Sequence, residues 1–212
     1  MQSRWLLALP MLAMLGCTTV AHRAAAPEPR YLFYLHGAIV EEQGPQGVSP
    51  RFGPYDYPGI LAAFRERGFT VISEARPKGT NAVAYAGTLA GEVQALLTRG
   101  VDPSRITVVG ASKGAVIAAL ASARLGNPRL RYVLLANCNP WLIRTYDPRL
   151  TGEVLSIYEA SDDIGKSCDE VVRRSPGIAR YHEVRLETGL GHGMVYRPLA
   201  EWVVPAAEWA SR

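Results

Sequence analysis

Residues 106–120 read Ile-Thr-Val-Val-Gly-Ala-Ser-Lys-Gly-Ala-Val-Ile-Ala-Ala-Leu. A β-branched apolar run passes through Gly-Ala-Ser-Lys-Gly into a run of small helix-forming residues. This pattern predicts a buried strand over 106–111, a sharp turn at Ser112, and a helix over 113–125 that stops at Gly126-Asn127-Pro128. So tight a turn forces strained backbone angles on its central residue, and side chains two positions to either side would collide. Gly110 and Gly114 remove those side chains. Ser112 is thereby left at the carboxyl end of a buried strand. It stands beside a helix N-terminus, whose free N–H groups favour negative charge.

A strand that feeds straight into a helix needs parallel neighbours and helical cover. The rest of the chain supplies both. Apolar runs over 31–37, which ends in a glycine, and over 69–73, 132–137, 154–159 and 181–186 read as further buried strands. Helices are predicted over 58–67, with Gly68 as its stop, over 81–98, with Asn81 as its cap, and over 198–209. The alternation argues for a parallel sheet covered by helices. The connection over 40–57, with Glu41, Glu42 and Arg51-Phe52-Gly53, is long for a loop. It either walls a site or runs over the surface. Arg76 and Lys78 leave the carboxyl end of the second strand. Either they face a ligand there, or Arg76 bonds Glu74 and Lys78 is solvated.

The chain has 212 residues, 48% hydrophobic and 20% charged, enough for one domain with a sizeable core. The net charge of +4 is modest, and no basic stripe is interleaved with aromatics, so nothing points to nucleic acid. No internal repeat is visible. Three cysteines and four histidines do not fall into a zinc-ligand spacing, and no metal or cofactor is expected.

With its strand–turn–helix setting, Gly110-Ala111-Ser112-Lys113-Gly114 resembles the nucleophile elbow of the α/β-hydrolase superfamily. The resemblance implies a trimmed α/β-hydrolase fold. About six mostly parallel strands would be flanked by helices, with little or no lid between 137 and 154. It also implies a catalytic triad of Ser112, Asp162 and His192, in the chain order usual for the superfamily. Asp162 follows a late strand where the family places its acid, with Asp163 as the alternative. Both aspartates also suit a capping role. His192 lies between Gly191 and Gly193 after the last strand, whereas His182 sits within that strand. The His36-Gly37 pair matches the opening of the family's oxyanion loop, which makes His36 structural. The donors would be the N–H groups of Ala38, with Ile39 as the next candidate, and of Lys113. The Lys113 ammonium either meets an anionic substrate or points to solvent. By the family's strand order, Cys138 and Cys168 lie on neighbouring loops, where they are either bridged or two free thiols.

The implied reaction is hydrolysis of a small-molecule carboxylic ester through an acyl-enzyme. A peptidase or thioesterase would use the same triad. A non-catalytic binding protein on this fold is the reading from another class. Haloalkane dehalogenation is disfavoured, because the elbow carries Ser where that chemistry uses Asp.

The N-terminus reads separately. A basic start, an apolar run to Leu15 and then Gly16-Cys17 form a signal peptide over 1–16, whose end resembles a bacterial lipobox with Cys17 as the lipidated residue. Cleavage near 24–26 by ordinary signal peptidase is the alternative. Residues 17–30, which include His22, read as an Ala/Pro-rich tether, and 31–212 as the hydrolase domain. The expected place is the periplasm, anchored to the outer membrane by acyl chains without a spanning helix.

Overall fold

The structure is a computed structural model that describes residues 28–212. Its elements in chain order are β1 (Arg30–Leu35), α1 (Ala38–Gln43), β2 (Val48–Ser49), β3 (Gly53–Pro54), α2 (Tyr57–Arg65), β4 (Phe69–Ile72), α3 (Ala82–Thr98) and β5 (Ile106–Ala111). There follow α4 (Lys113–Leu125), β6 (Arg131–Leu135), α5 (Pro140–Tyr146), β7 (Thr151–Glu159), α6 (Asp169–Arg173), β8 (Gly177–Leu186) and α7 (Ala200–Ser211). Short 3-10 segments occupy Pro103–Arg105 and Gly191–Tyr196.

Six strands form one wholly parallel sheet in the order β4-β1-β5-β6-β7-β8. From β1 the chain winds outward to β4, then crosses back with α3 to place β5 on the other side of β1. Strand order therefore reverses between β1 and β5. At such a switch point the loops leaving neighbouring strands diverge and open a crevice at the carboxyl ends. Ser112 follows β5 at that crevice.

Alternation along the strands sorts the core into two layers. Leu32, Tyr34, Val109, Ala111, Val133, Leu135, Leu155 and Ile157 face α2 and α7. Phe33, Leu35, Ile106, Val108, Tyr132, Leu134 and Val154 face α3 and α4. Both faces are covered, which explains why the central strands read as continuous apolar runs.

The helix boundaries predicted for α3 and α4 match the structure, and the Asn81 side chain accepts from the N–H groups of Val83 and Ala84, as a helix cap does. Segment 40–57 differs from the expected loop. It contains most of α1 and the small β2–β3 hairpin. The hairpin is held down by Tyr55, whose hydroxyl bonds that of Tyr34 at 2.6 Å. Strands β7 and β8 begin earlier than their apolar runs, because Thr151-Gly152-Glu153 is polar or glycine and Gly177 and Arg180 interrupt the apolar pattern around Ile178-Ala179. Strand β1 likewise begins at Arg30, inside the expected tether. Between β6 and β7 stands only the seven-residue α5. Among the described residues no helix is long and apolar enough to cross a membrane.

Candidate active site

Ser112 has φ 52° and ψ −116°, between β5 and α4. A non-glycine residue in this region carries strain of about 1–3 kcal/mol, which surrounding structure must impose. Here the Ser112 N–H still donates to Leu135 O of the next strand at 2.9 Å. The flanking glycines meet backbone on both sides. A Cβ on Gly110 would lie 2.4 Å from Gly114 O, and one on Gly114 would lie 2.0 Å from Leu35 O. Gly110 thus lets α4 sit on its own strand, and Gly114 lets it sit on β1. The side chain of Ser112 is left partly accessible at the switch point.

The structure brings Ser112, His192 and Asp162 into one chain of contacts. Ser112 Oγ lies 2.8 Å from His192 Nε2, and His192 Nδ1 lies 2.8 Å from Asp162 Oδ2. Asp162 and His192 are buried. The other carboxylate oxygen, Oδ1, accepts the Ile164 N–H at 2.8 Å, which fixes the plane of the group. Asp163 turns outward and pairs with Arg51 at 2.9 Å, with both side chains more than half exposed. That pairing holds the Asp163 carboxyl below its usual range. The Phe52 ring packs against the His192 ring, with centroids 6.0 Å apart. The 40–57 segment therefore walls the site.

Glu159, at the end of β7, joins the acid loop to the histidine loop. It is buried and accepts from the Ser161 and Thr188 hydroxyls and from the N–H groups of Thr188 and Gly189. Burial pushes its pKa up, but the donors, Thr188 first among them, outweigh burial and hold it below the ordinary value. Gly191, at φ 54°, donates its N–H to Ser161 Oγ and turns the chain into His192.

Ala38 and Lys113 are the first residues of α1 and α4. At that position an N–H has no intrahelical partner. Behind them lies a buried charged network. Glu41 of α1 accepts from Arg76 Nε at 2.9 Å through one oxygen and pairs with Lys113 Nζ through the other. Arg76 also donates to His36 O. Two sequence readings are thereby corrected. Arg76 neither faces a ligand nor bonds Glu74, because its side chain is wholly buried against Glu41. The Lys113 ammonium neither points freely to solvent nor meets a substrate, because it is held on buried Glu41 although its side chain stays partly exposed. Lys78 is exposed and pairs with Glu42 at 3.0 Å.

His36 Nε2 accepts the Arg76 N–H at 2.9 Å, which leaves the proton on Nδ1, 2.8 Å from Gly37 O. Burial, and then the charge of Arg76, lower its pKa from 6.5 to about 4. His36 is neutral and structural.

The acid loop docks on the loop after β6. Cys138 and Cys168 are joined by a disulfide. Lys166 N–H donates to Asn137 O at 2.6 Å, and Gly165 lies so close to Ala136 that a Cβ would sit 2.5 Å from its carbonyl carbon. Among the described residues, no group of three or more His, Cys, Asp or Glu side chains is placed to hold a metal ion. Sequence reasoning missed the roles of Glu41 and Glu159. Each lies at or after a recognised strand or motif, but apart from Ser161 the partners come from segments 29 to 72 residues away. Cys17 and His22 lie outside the described residues.

No family model matches the chain, and no curated protein sequence matches it. Solved structures do. SOBER1 from Arabidopsis thaliana, in a point-variant form, superposes with a TM-score of 0.56 at 12% identity, over 86% of this chain and 98% of that one. A protein of unknown function from Agrobacterium tumefaciens, grouped with the α/β hydrolases, gives 0.57 at 19% identity, over 88% and 87%. An esterase from Pyrococcus furiosus gives 0.53 at 14% identity, over 87% and 83%. The chain has the α/β-hydrolase fold.

Proposed function

We propose that the protein is a serine hydrolase that cleaves a carboxylic ester through an acyl-enzyme, with Ser112 as nucleophile, His192 as general base and acid, and Asp162 as its carboxylate partner. The observation that carries this reading is the Ser112–His192–Asp162 chain, with both contacts at 2.8 Å, on a strained turn at the switch point of the sheet. That the similar structures include an esterase adds support.

In the proposed reaction His192 Nε2 takes the proton of Ser112 Oγ as the oxygen attacks the ester carbonyl. Asp162 stabilises the imidazolium and holds its tautomer. The carbonyl oxygen, now negative, is met by the N–H groups of Ala38 and Lys113, a pair worth about 10²–10³ in rate per donor. His192 returns the proton to the departing alkoxide. It then activates water, which attacks the acyl carbon and releases the acid and free Ser112. The strain at Ser112 keeps Oγ presented, and the Glu41–Lys113 and Glu41–Arg76 pairs hold the two donor segments together.

The leader and lipid anchor at Cys17 belong to the same proposal. They would place this chemistry in the periplasm, at the outer membrane. The test of activity is hydrolysis of p-nitrophenyl butyrate by the mature protein. A burst of one nitrophenolate per chain followed by turnover is expected, with both lost in Ser112→Ala. Turnover retained in Ser112→Ala overturns the assignment.

A further inference from the structure

Glu159 is the last residue of β7 and is 1% exposed. Its side-chain partners among the described residues are all donors. Oε2 accepts the Thr188 N–H at 2.9 Å and the Thr188 hydroxyl at 2.7 Å. Oε1 accepts the Ser161 hydroxyl at 3.2 Å, the Gly189 N–H at 3.3 Å and the Ser161 N–H at 3.4 Å. Only a carboxylate presents acceptors at both of its terminal atoms.

Each hydroxyl gives its one proton to Glu159, so its lone pairs face onward. Ser161 Oγ accepts the Gly191 N–H at 3.2 Å, and Thr188 Oγ1 accepts the Leu190 N–H at 3.3 Å. Leu190 and Gly191 lead directly into His192. On the acid side, the Asp162 N–H donates to the Glu159 carbonyl at 3.0 Å. One buried carboxylate thus ties together the two loops that meet in the 2.8 Å contact between Asp162 and His192. The histidine loop has little stiffness of its own. Gly189 and Gly191 stand at φ 74° and 54°, and the Leu190 side chain between them is 47% exposed. The proposed reaction uses neither Glu159 nor the two hydroxyls.

We propose that Glu159 is a positioning residue for the reaction, which sets the Asp162 carboxylate and the His192 ring in register through the Ser161 and Thr188 hydroxyls. The proposal rests on the serine-hydrolase reading above. Glu159 touches neither the substrate nor the reacting atoms, and it takes no part in proton transfer. Glutamine in its place has the same length, but its NH2 would face donors whichever way the amide turned. A hydroxyl would then have to rotate and release Leu190 or Gly191, and His192 would shift against Asp162. A displacement of about 1 Å in a reacting constellation costs about 10² in rate.

A residue that acts only through the Asp162–His192 contact loses its effect once that contact is gone. The experiment is therefore a double-mutant cycle that crosses Glu159→Gln with Asp162→Asn. Hydrolysis of p-nitrophenyl butyrate is measured per folded chain, with the folded amount taken from the amplitude of urea unfolding. A second cycle crosses Asp162→Asn with Ser161→Ala, which cuts the link to Gly191 and leaves the carboxylate in place. With Asp162 present, kcat and kcat/KM are expected to fall together, by about 10² in Glu159→Gln and about tenfold in Ser161→Ala. In the Asp162→Asn background each change should cost less than about threefold. Equal losses in the two backgrounds, or a folded Glu159→Gln protein with wild-type kcat, overturn the role of Glu159 while leaving the triad standing. Should Glu159→Gln fail to fold, the Ser161→Ala cycle decides by the same criterion. A wild type without turnover, or Asp162→Asn with undiminished kcat, overturns the serine-hydrolase reading itself.

Discussion

At the scale of single residues, the geometry separates neighbours that look alike in sequence. Asp162 contacts His192, whereas Asp163, one residue on, pairs with Arg51 at the surface. Asp162→Asn is therefore expected to lower kcat by about 10⁴, the loss that follows when a histidine is held in the wrong tautomer. Asp163→Asn removes one exposed, solvent-screened ion pair and should leave kcat within severalfold. Steady-state kinetics on the two variants check the assignment, and the reverse order of losses would contradict it. Gly114 is as sharply constrained. Alanine there would press a Cβ against the Leu35 carbonyl, which is backbone and has little freedom to yield. Gly114→Ala should cost more than about 3 kcal/mol in urea unfolding, the upper end of overpacking costs.

At the scale of elements, what holds the site is contact between segments far apart in the chain. Glu41 joins α1 to α4 and to the loop after β4. Removing one member of a buried ion pair leaves the other charge unpaired, at about 3–5 kcal/mol. Glu41→Ala should show that loss in urea unfolding, and a loss below 1 kcal/mol would mean that the network matters little. The disulfide closes a span of 30 residues between the β6 loop and the acid loop. On a chain-entropy account it adds about 3–4 kcal/mol. Reduction should lower stability by that amount, and two titratable thiols in the native protein would contradict the bridge.

These links also mark where the sequence stops being readable. The strands and the helices after β4 and β5 depend on local pattern and could be read in order, while Asp162 and His192, which the structure places in contact with each other and with Ser112, were reached through the resemblance. Glu41 sat in what read as a loop, and Arg76 was matched with Glu74, the nearest acid in sequence. A charge pair between residues 41 and 76 leaves no local signal.

For the whole molecule, His36 and Glu159, two buried groups with lowered pKa, act in the same direction. His36 is neutral in the fold, with its pKa moved from 6.5 to about 4, and Glu159 is held ionised by its donors. Between these two values for His36 the unfolded chain binds more protons than the folded one, so stability falls as pH falls. Glu159 adds its own loss below the ordinary carboxylate range. The thermal midpoint should therefore decline from pH 6.5 toward pH 4. In His36→Gln, which keeps an acceptor for the Arg76 N–H and does not titrate, that decline should be shallower. An identical slope in the two proteins would show that His36 is not its source.

The whole account depends on one atom, Ser112 Oγ, being a nucleophile activated by His192. The most direct measurement is labelling of the folded protein with a fluorophosphonate, followed by mass spectrometry of the peptide that carries the adduct. The account predicts one phosphonyl group per chain, on Ser112, with labelling abolished in Ser112→Ala and strongly slowed in His192→Ala. Native protein that takes up no label, or takes it up on another residue, would contradict it.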